Sequence, residues 1–204
     1  MRSSHSSALT SALILAGLGL SACGGTVSYP VSGTISGLTN SSFTPSSLVL
    51  ANGSDTLTVA PSSSGGSSFT FSKAIDYGTA FNIVVQTQPS HMTCTVLNGL
   101  GSAGHTSVIN ATVTCAVNAY TIGGTITGLT GSNLELINGS TATPLFPAAG
   151  ASTFVFASTV AYGQTYGVTV FIQPSTPGSQ NCTISNGSGV MQDAAVNNIG
   201  VACQ

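Results

Sequence analysis

The sequence predicts an all-β chain made of two tandem antiparallel β-sandwich domains, each of about seven strands and closed by one internal disulfide. Three observations carry this expectation. Apolar residues alternate over short runs, a block of about 90 residues occurs twice, and four of the five cysteines fall into two equally spaced pairs.

The alternation sets the strands. Val31, Gly33 and Ile35 fall on one face, as do Leu48 with Leu50, Phe69 with Phe71, and Phe81, Ile83 and Val85. Tyr166, Val168, Val170 and Ile172 repeat the rhythm. A period of two, broken by Asn-Gly, Ser-Gly and Gln-Pro, marks half-buried antiparallel strands. Asn52-Gly53 and Asn138-Gly139 are dipeptides favoured in tight hairpins. No window sustains a helical period.

The duplication follows the same elements. Tyr29-Pro-Val-Ser-Gly-Thr-Ile-Ser-Gly-Leu38 returns as Tyr120-Thr-Ile-Gly-Gly-Thr-Ile-Thr-Gly-Leu129, and Leu48-Val-Leu-Ala-Asn-Gly-Ser54 as Leu134-Glu-Leu-Ile-Asn-Gly-Ser140. Phe69-Thr-Phe71 matches Phe154-Val-Phe156, Tyr77-Gly78 matches Tyr162-Gly163, and Gln88-Pro-Ser90 matches Gln173-Pro-Ser175. The offset drifts between about 85 and 91 residues, changing in Ser/Thr/Gly-rich stretches where loops tolerate insertion. The domains are expected over 29–117 and 118–204. Glu135 stands where the first copy has Val49, between two inward leucines, so this position is expected to face water.

The cysteines agree with this division. Cys94 and Cys115 lie 21 positions apart, as do Cys182 and Cys203, at equivalent places in the two copies. Four cysteines permit three pairings. The duplication selects Cys94–Cys115 and Cys182–Cys203, since each domain then closes its own bridge. A hairpin between the last two strands would set Val96 opposite Val113 and Ile184 opposite Val201.

Charge narrows the function classes. Only 3% of the residues are charged, against about 25% in an ordinary soluble protein. Beyond Arg2 the chain carries Lys73 against Asp55, Asp76, Glu135 and Asp193, a net of −3. There is no basic footprint for nucleic acid and no polybasic patch for anionic lipid.

The first 22 residues have the layout of a secretory signal: Arg2, then the apolar run from Ala12 to Leu20, then small residues. The run is about half the roughly 20 residues that span a bilayer. Leu20-Ser21-Ala22-Cys23 resembles the lipobox of bacterial lipoproteins. That resemblance implies cleavage after residue 22, lipidation of Cys23, a short tether over 23–28, and firm membrane attachment, at about 0.8 kcal/mol for each buried methylene. By the same resemblance, Gly24 after the cysteine, where an Asp would favour the inner membrane, implies the outer membrane, at its periplasmic face or the cell surface.

The opening Gly-Thr-Ile-x-Gly-Leu, the later Phe-x-Phe and the Tyr-Gly before a long alternating strand resemble two groups of bacterial exported modules, transthyretin-like sandwiches and tandem immunoglobulin-like repeats. The resemblance implies fold rather than activity. The lack of Trp and the close cysteines depart from immunoglobulin domains proper.

Candidate chemistry is sparse. Gly99-Leu-Gly-Ser-Ala-Gly104 matches a dinucleotide fingerprint, but it lies within a hairpin rather than between strand and helix, so a flexible hairpin tip is expected. His91 and His105 fall near opposite ends of that hairpin, some 30 Å apart at roughly 3.3 Å per residue, and are expected to be solvated loop residues. Asp55 and Asp76 are matched by Thr141 and Ala161 in the second copy, so neither acid recurs. No catalytic or metal-binding set and no cofactor is expected. The sequence therefore points to a non-catalytic envelope lipoprotein with a structural or protein-interaction role. Its alternative is a module binding glycan or another neutral ligand through Tyr77, Tyr162 and Tyr166 with Asn/Gln loops. About four residues between Cys115 and Tyr120 imply a restricted joint.

Overall fold

The computed structural model describes residues 27–40, 43, 45–104, 109–139 and 143–204. The leader, Cys23, His105 and Thr141 lie outside them.

The first domain contains β1 (Ser28–Tyr29), β2 (Val31–Ser36), β3 (Leu48–Asn52), β4 (Asp55–Val59), β5 (Ser67–Thr70), β6 (Ile75–Asp76), β7 (Ala80–Thr87), β8 (Met92–Leu97), β9 (Leu100–Ser102) and β10 (Ile109–Val117). Two four-stranded sheets have the orders β5-β2-β10-β8 and β4-β3-β7-β9, while β1 pairs with β6. The alternating residues face a common core: Val31, Ile35, Leu48, Leu50, Ile83 and Val113 are all buried. Phe69 and Phe71 meet edge to face within it, their centroids 6.0 Å apart.

The second domain repeats the plan with β11 (Ala119–Tyr120), β12 (Ile122–Thr127), β13 (Glu135–Asn138), β14 (Thr153–Val155), β15 (Val160–Ala161), β16 (Thr165–Ile172), β17 (Cys182–Ser185), β18 (Ser188–Val190) and β19 (Val196–Cys203). Its sheets run β14-β12-β19-β17 and β13-β16-β18, and β11 pairs with β15. Phe154 and Phe156 reproduce the edge-to-face pair at 6.0 Å. In place of a counterpart to β4, Leu145 exchanges two backbone hydrogen bonds with Leu136, both 2.9 Å.

The strand order answers a question the sequence left open. The first long strand of each domain lies in the same sheet as the last and pairs with it in parallel, β2 with β10 and β12 with β19. The constant immunoglobulin arrangement instead puts its first and last strands in opposite sheets.

Both disulfides form as expected, Cys94–Cys115 and Cys182–Cys203. Each joins directly opposed residues on neighbouring antiparallel strands, and the registers place Val96 against Val113 and Ile184 against Val201. Such bridges persist in oxidising compartments, so the chain is an exported one. The second glycine of the repeated Gly-Thr-Ile-x-Gly motif packs against this bridge. Gly37 and Gly128 have φ of +77° and +73°, and a Cβ on either would meet the carbonyl oxygen of Cys115 or Cys203 at 2.0 or 2.1 Å. Only glycine satisfies both demands.

Two expectations need correction. Glu135 does not face water: it is 7% exposed. The register slips between Glu135 and Leu136, and a bulge of this kind breaks the period of two, so consecutive residues are both buried. Gly99–Gly104 is not a loose hairpin tip either. Leu100–Ser102 forms β9, which leaves the sheet of β8 and pairs with β7 in the opposite one.

Candidate functional site at the joint between the domains

One residue, Asn118, separates β10 from β11, and both domains grip it. Its N–H donates to the carbonyl of His91 at 2.9 Å, and its own carbonyl accepts from the N–H of Tyr162 at 2.8 Å. Its side-chain oxygen accepts from the Thr93 hydroxyl at 2.7 Å. The linker's polar groups are thus tied to the first domain on one side and the second on the other.

Around it sits a mixed aromatic and ionic cluster. His91 lies in the turn between β7 and β8 with φ of +62°, in the left-handed region where histidine is one of the more tolerant side chains. Its imidazole stacks on the ring of Tyr162, with centroids 3.7 Å apart and planes 4° from parallel. Phe43 meets both rings edge-on, at 5.6 Å from His91 and 5.2 Å from Tyr162. His91 Nδ1 lies 2.6 Å from an oxygen of Asp193, and the Tyr120 hydroxyl donates to the other oxygen at 3.4 Å. Among the described residues this is the one pairing of a basic side chain with a carboxylate. Phe43 and His91 come from the first copy, and Tyr120, Tyr162 and Asp193 from the second.

His91 is therefore not a solvated loop residue, as the sequence suggested. The reason is tertiary: the turn carrying it abuts the second domain, whose Tyr162 supplies a flat apolar partner and whose Asp193 supplies an acceptor. Two features signalled the cluster in the sequence, a linker too short for slack and aromatic residues flanking it.

The remaining candidates have other surroundings. Tyr77 is exposed and lies 6.5 Å from Tyr29, while Tyr166 packs partly into the second core. Tyr162 belongs to the joint, stacked on His91. Asp55 opens β4 and is nearly buried. The Lys73 backbone N–H and the Ser72 hydroxyl donate to its carboxylate at 2.9 and 2.8 Å. These bonds, led by that of Lys73, hold its pKa below the ordinary carboxylate value. Asp76 lies apart on β6, exposed.

A second feature recurs in both copies. The carboxamide of Gln88 pairs with the outer edge of β8, its Nε2 donating to the Cys94 carbonyl at 2.9 Å and its Oε1 accepting from the Cys94 N–H at 2.7 Å. Gln173 does the same at Cys182, at 3.0 and 2.7 Å. The side chain takes the place of a neighbouring strand at a point where an edge would otherwise be open. Beside it runs an open groove of about 550 Å³ lined by Ile83, Val85, Val96, Leu97 and Leu100. The second domain has a groove of about 520 Å³ in the same place, lined by Val168, Val170, Ile184 and Ser188.

No family model matches the chain, and no curated protein sequence matches it. Among solved structures, it is similar to the Bacillus anthracis TIE protein. That alignment has a TM-score of 0.38 and 13% identity and covers 85% of this chain. It covers 34% of the TIE chain, so this chain spans about a third of that length.

Proposed function

We propose that the chain is a lipid-anchored, non-catalytic protein of the bacterial cell envelope, whose two sandwiches act as one short structural or protein-interaction module. The observation that carries this reading is the joint. The groups best suited to acid–base chemistry, His91 and Asp193, bind one domain to the other, and Asn118 leaves the linker no slack. A module that holds a fixed distance and presents surfaces at both ends uses such a joint, whereas a pair of independent binding domains gains little from one. Lipidation at Cys23 accounts for the fifth cysteine, because the other four are paired.

The test has two parts. Mass spectrometry of the N-terminal fragment should show a lipid mass on Cys23, and Cys23→Ser should move the protein from the membrane fraction to the soluble one. Crosslinking in intact cells should then capture an envelope protein, and should lose it when the joint is loosened by Tyr162→Ala. A protein without lipid, or one that captures no partner, contradicts the reading.

The recurrent grooves favour one alternative, a neutral-ligand module that binds extended apolar or glycan chains along the β7/β8 and β16/β17 edges. A hit on a glycan array that is lost on Leu100→Asp would favour it over the first reading.

A further inference from the structure

The duplication allows each end of a domain to be compared with its twin. In the second domain, the end nearest the linker consists of β11, β15 and the Tyr162-Gly163 turn, and the first domain covers it. In the first domain, the equivalent end consists of β1, β6 and the Tyr77-Gly78 turn. The hydrogen bonds match one for one. Tyr77 N–H donates to the Val27 carbonyl where Tyr162 N–H donates to that of Asn118. Gly78 N–H donates to Ala103 where Gly163 N–H donates to Met191. Yet among the described residues nothing covers this end. Tyr77 is 68% exposed and Val27 63%, and Tyr29 stands beside Tyr77.

We propose that this end of the first domain, formed by Val27, Tyr29 and Tyr77, rests against the lipid bilayer surface. The proposal rests on the lipidation of Cys23. Only Gly24, Gly25 and Thr26 separate Cys23 from Val27. Four residue steps reach at most about 14 Å when fully extended, and a Gly-rich segment averages about 11 Å. With the cysteine held at the headgroup level, Val27 and its neighbours cannot stand far from that layer. Tyrosine suits the position, having an apolar ring and a hydroxyl for the wet side.

Charge selects the lipid. Asp76 is exposed next to Tyr77, and beyond the leader the chain is net negative. Contact therefore depends on aromatic and apolar groups at a zwitterionic surface, with no attraction to anionic headgroups. A second copy docked end to end is a poorer occupant, because Thr176 stands in the second domain where the first has His91, so the far end lacks the ring that Tyr162 receives.

The chain has no tryptophan, so one introduced residue reports alone. Tyr77→Trp and, as a second reporter, Val27→Trp would be made in the lipidated full-length protein and reconstituted into phosphatidylcholine vesicles. Phe146→Trp, at a 65% exposed position in the second domain, serves as the control. The expected result is blue-shifted emission from both reporters, strongly quenched when the lipid carries bromine near the headgroup, with the control unchanged. If the N-terminal fragment carries lipid and the protein floats with the vesicles, yet both reporters stay unquenched, the proposal fails and the anchor stands. If the fragment carries no lipid, both fail together.

Discussion

The imidazole of His91 lies flat on the phenol ring of Tyr162, 3.7 Å away, and this stack crosses from one domain to the other. An aromatic pair is worth about 1 kcal/mol beyond the area it buries. Tyr162→Ala should therefore weaken the coupling between domains by about that amount while leaving each core intact. Small-angle scattering should show a broader distribution of interdomain distances, with unchanged circular dichroism. An unchanged distribution would assign the joint's stiffness to Asn118 and the His91–Asp193 contact.

Each disulfide closes a separation of 21 residues, for which the chain-entropy model gives about 3 kcal/mol. Replacing both Cys94 and Cys115 by Ala should lower the stability of the first domain by about that much and leave the second nearly unaffected. Urea unfolding followed domain by domain through a single introduced tryptophan checks the assignment.

Gly37→Ala places a methyl group 2.0 Å from the Cys115 carbonyl oxygen at a left-handed backbone position. Backbone strain and overpacking together should cost about 3 kcal/mol. Gly53→Ala provides the contrast: its φ is +62°, but open space surrounds the added methyl, so the loss should be about 1 kcal/mol.

Asp55 gives the first domain a sensitivity to acid. Its folded-state pKa lies below the unfolded value, so its contribution is fully present above about pH 4 and disappears as pH falls through the lower, folded value. The urea midpoint of the first domain should fall as pH drops below about 4, and Asp55→Asn should flatten part of that slope. The second copy has Thr141 at this position and should lack this component.

Gln88→Ala removes two hydrogen bonds at the rim of β8 and should cost about 1–2 kcal/mol. It also uncovers an edge, so self-association should increase. Sedimentation velocity at rising concentration measures this, and Gln173→Ala should behave alike.

The strands, the duplication and both bridges could be read from local signals. Alternation places Leu48 and Leu50 inside, and a matched spacing selects each cysteine's partner. What could not be read depends on contacts between distant segments. A bulge buries Glu135, and nothing in a one-residue pattern announces a bulge. The parallel pairing of β2 with β10 joins strands more than 70 residues apart. Gln88 looked like punctuation before a proline, whereas its side chain completes an edge. His91 reads as a solvated loop residue because its partners, Tyr162 and Asp193, lie far along the chain. Two copies share only one boundary, so the residues that build it are unique by construction.

The parallel pairing of first and last strands has a mechanical consequence. The chain enters each domain at the start of one strand and leaves at the end of the other, six residues of β2 lying alongside six of β10. Tension applied at the two termini pulls these strands lengthwise in opposite directions. Every rung of the ladder is then sheared at once, instead of opening in turn from one end like a zipper. With both domains built this way in series, a stretch applied along the chain meets its main resistance at the same place twice.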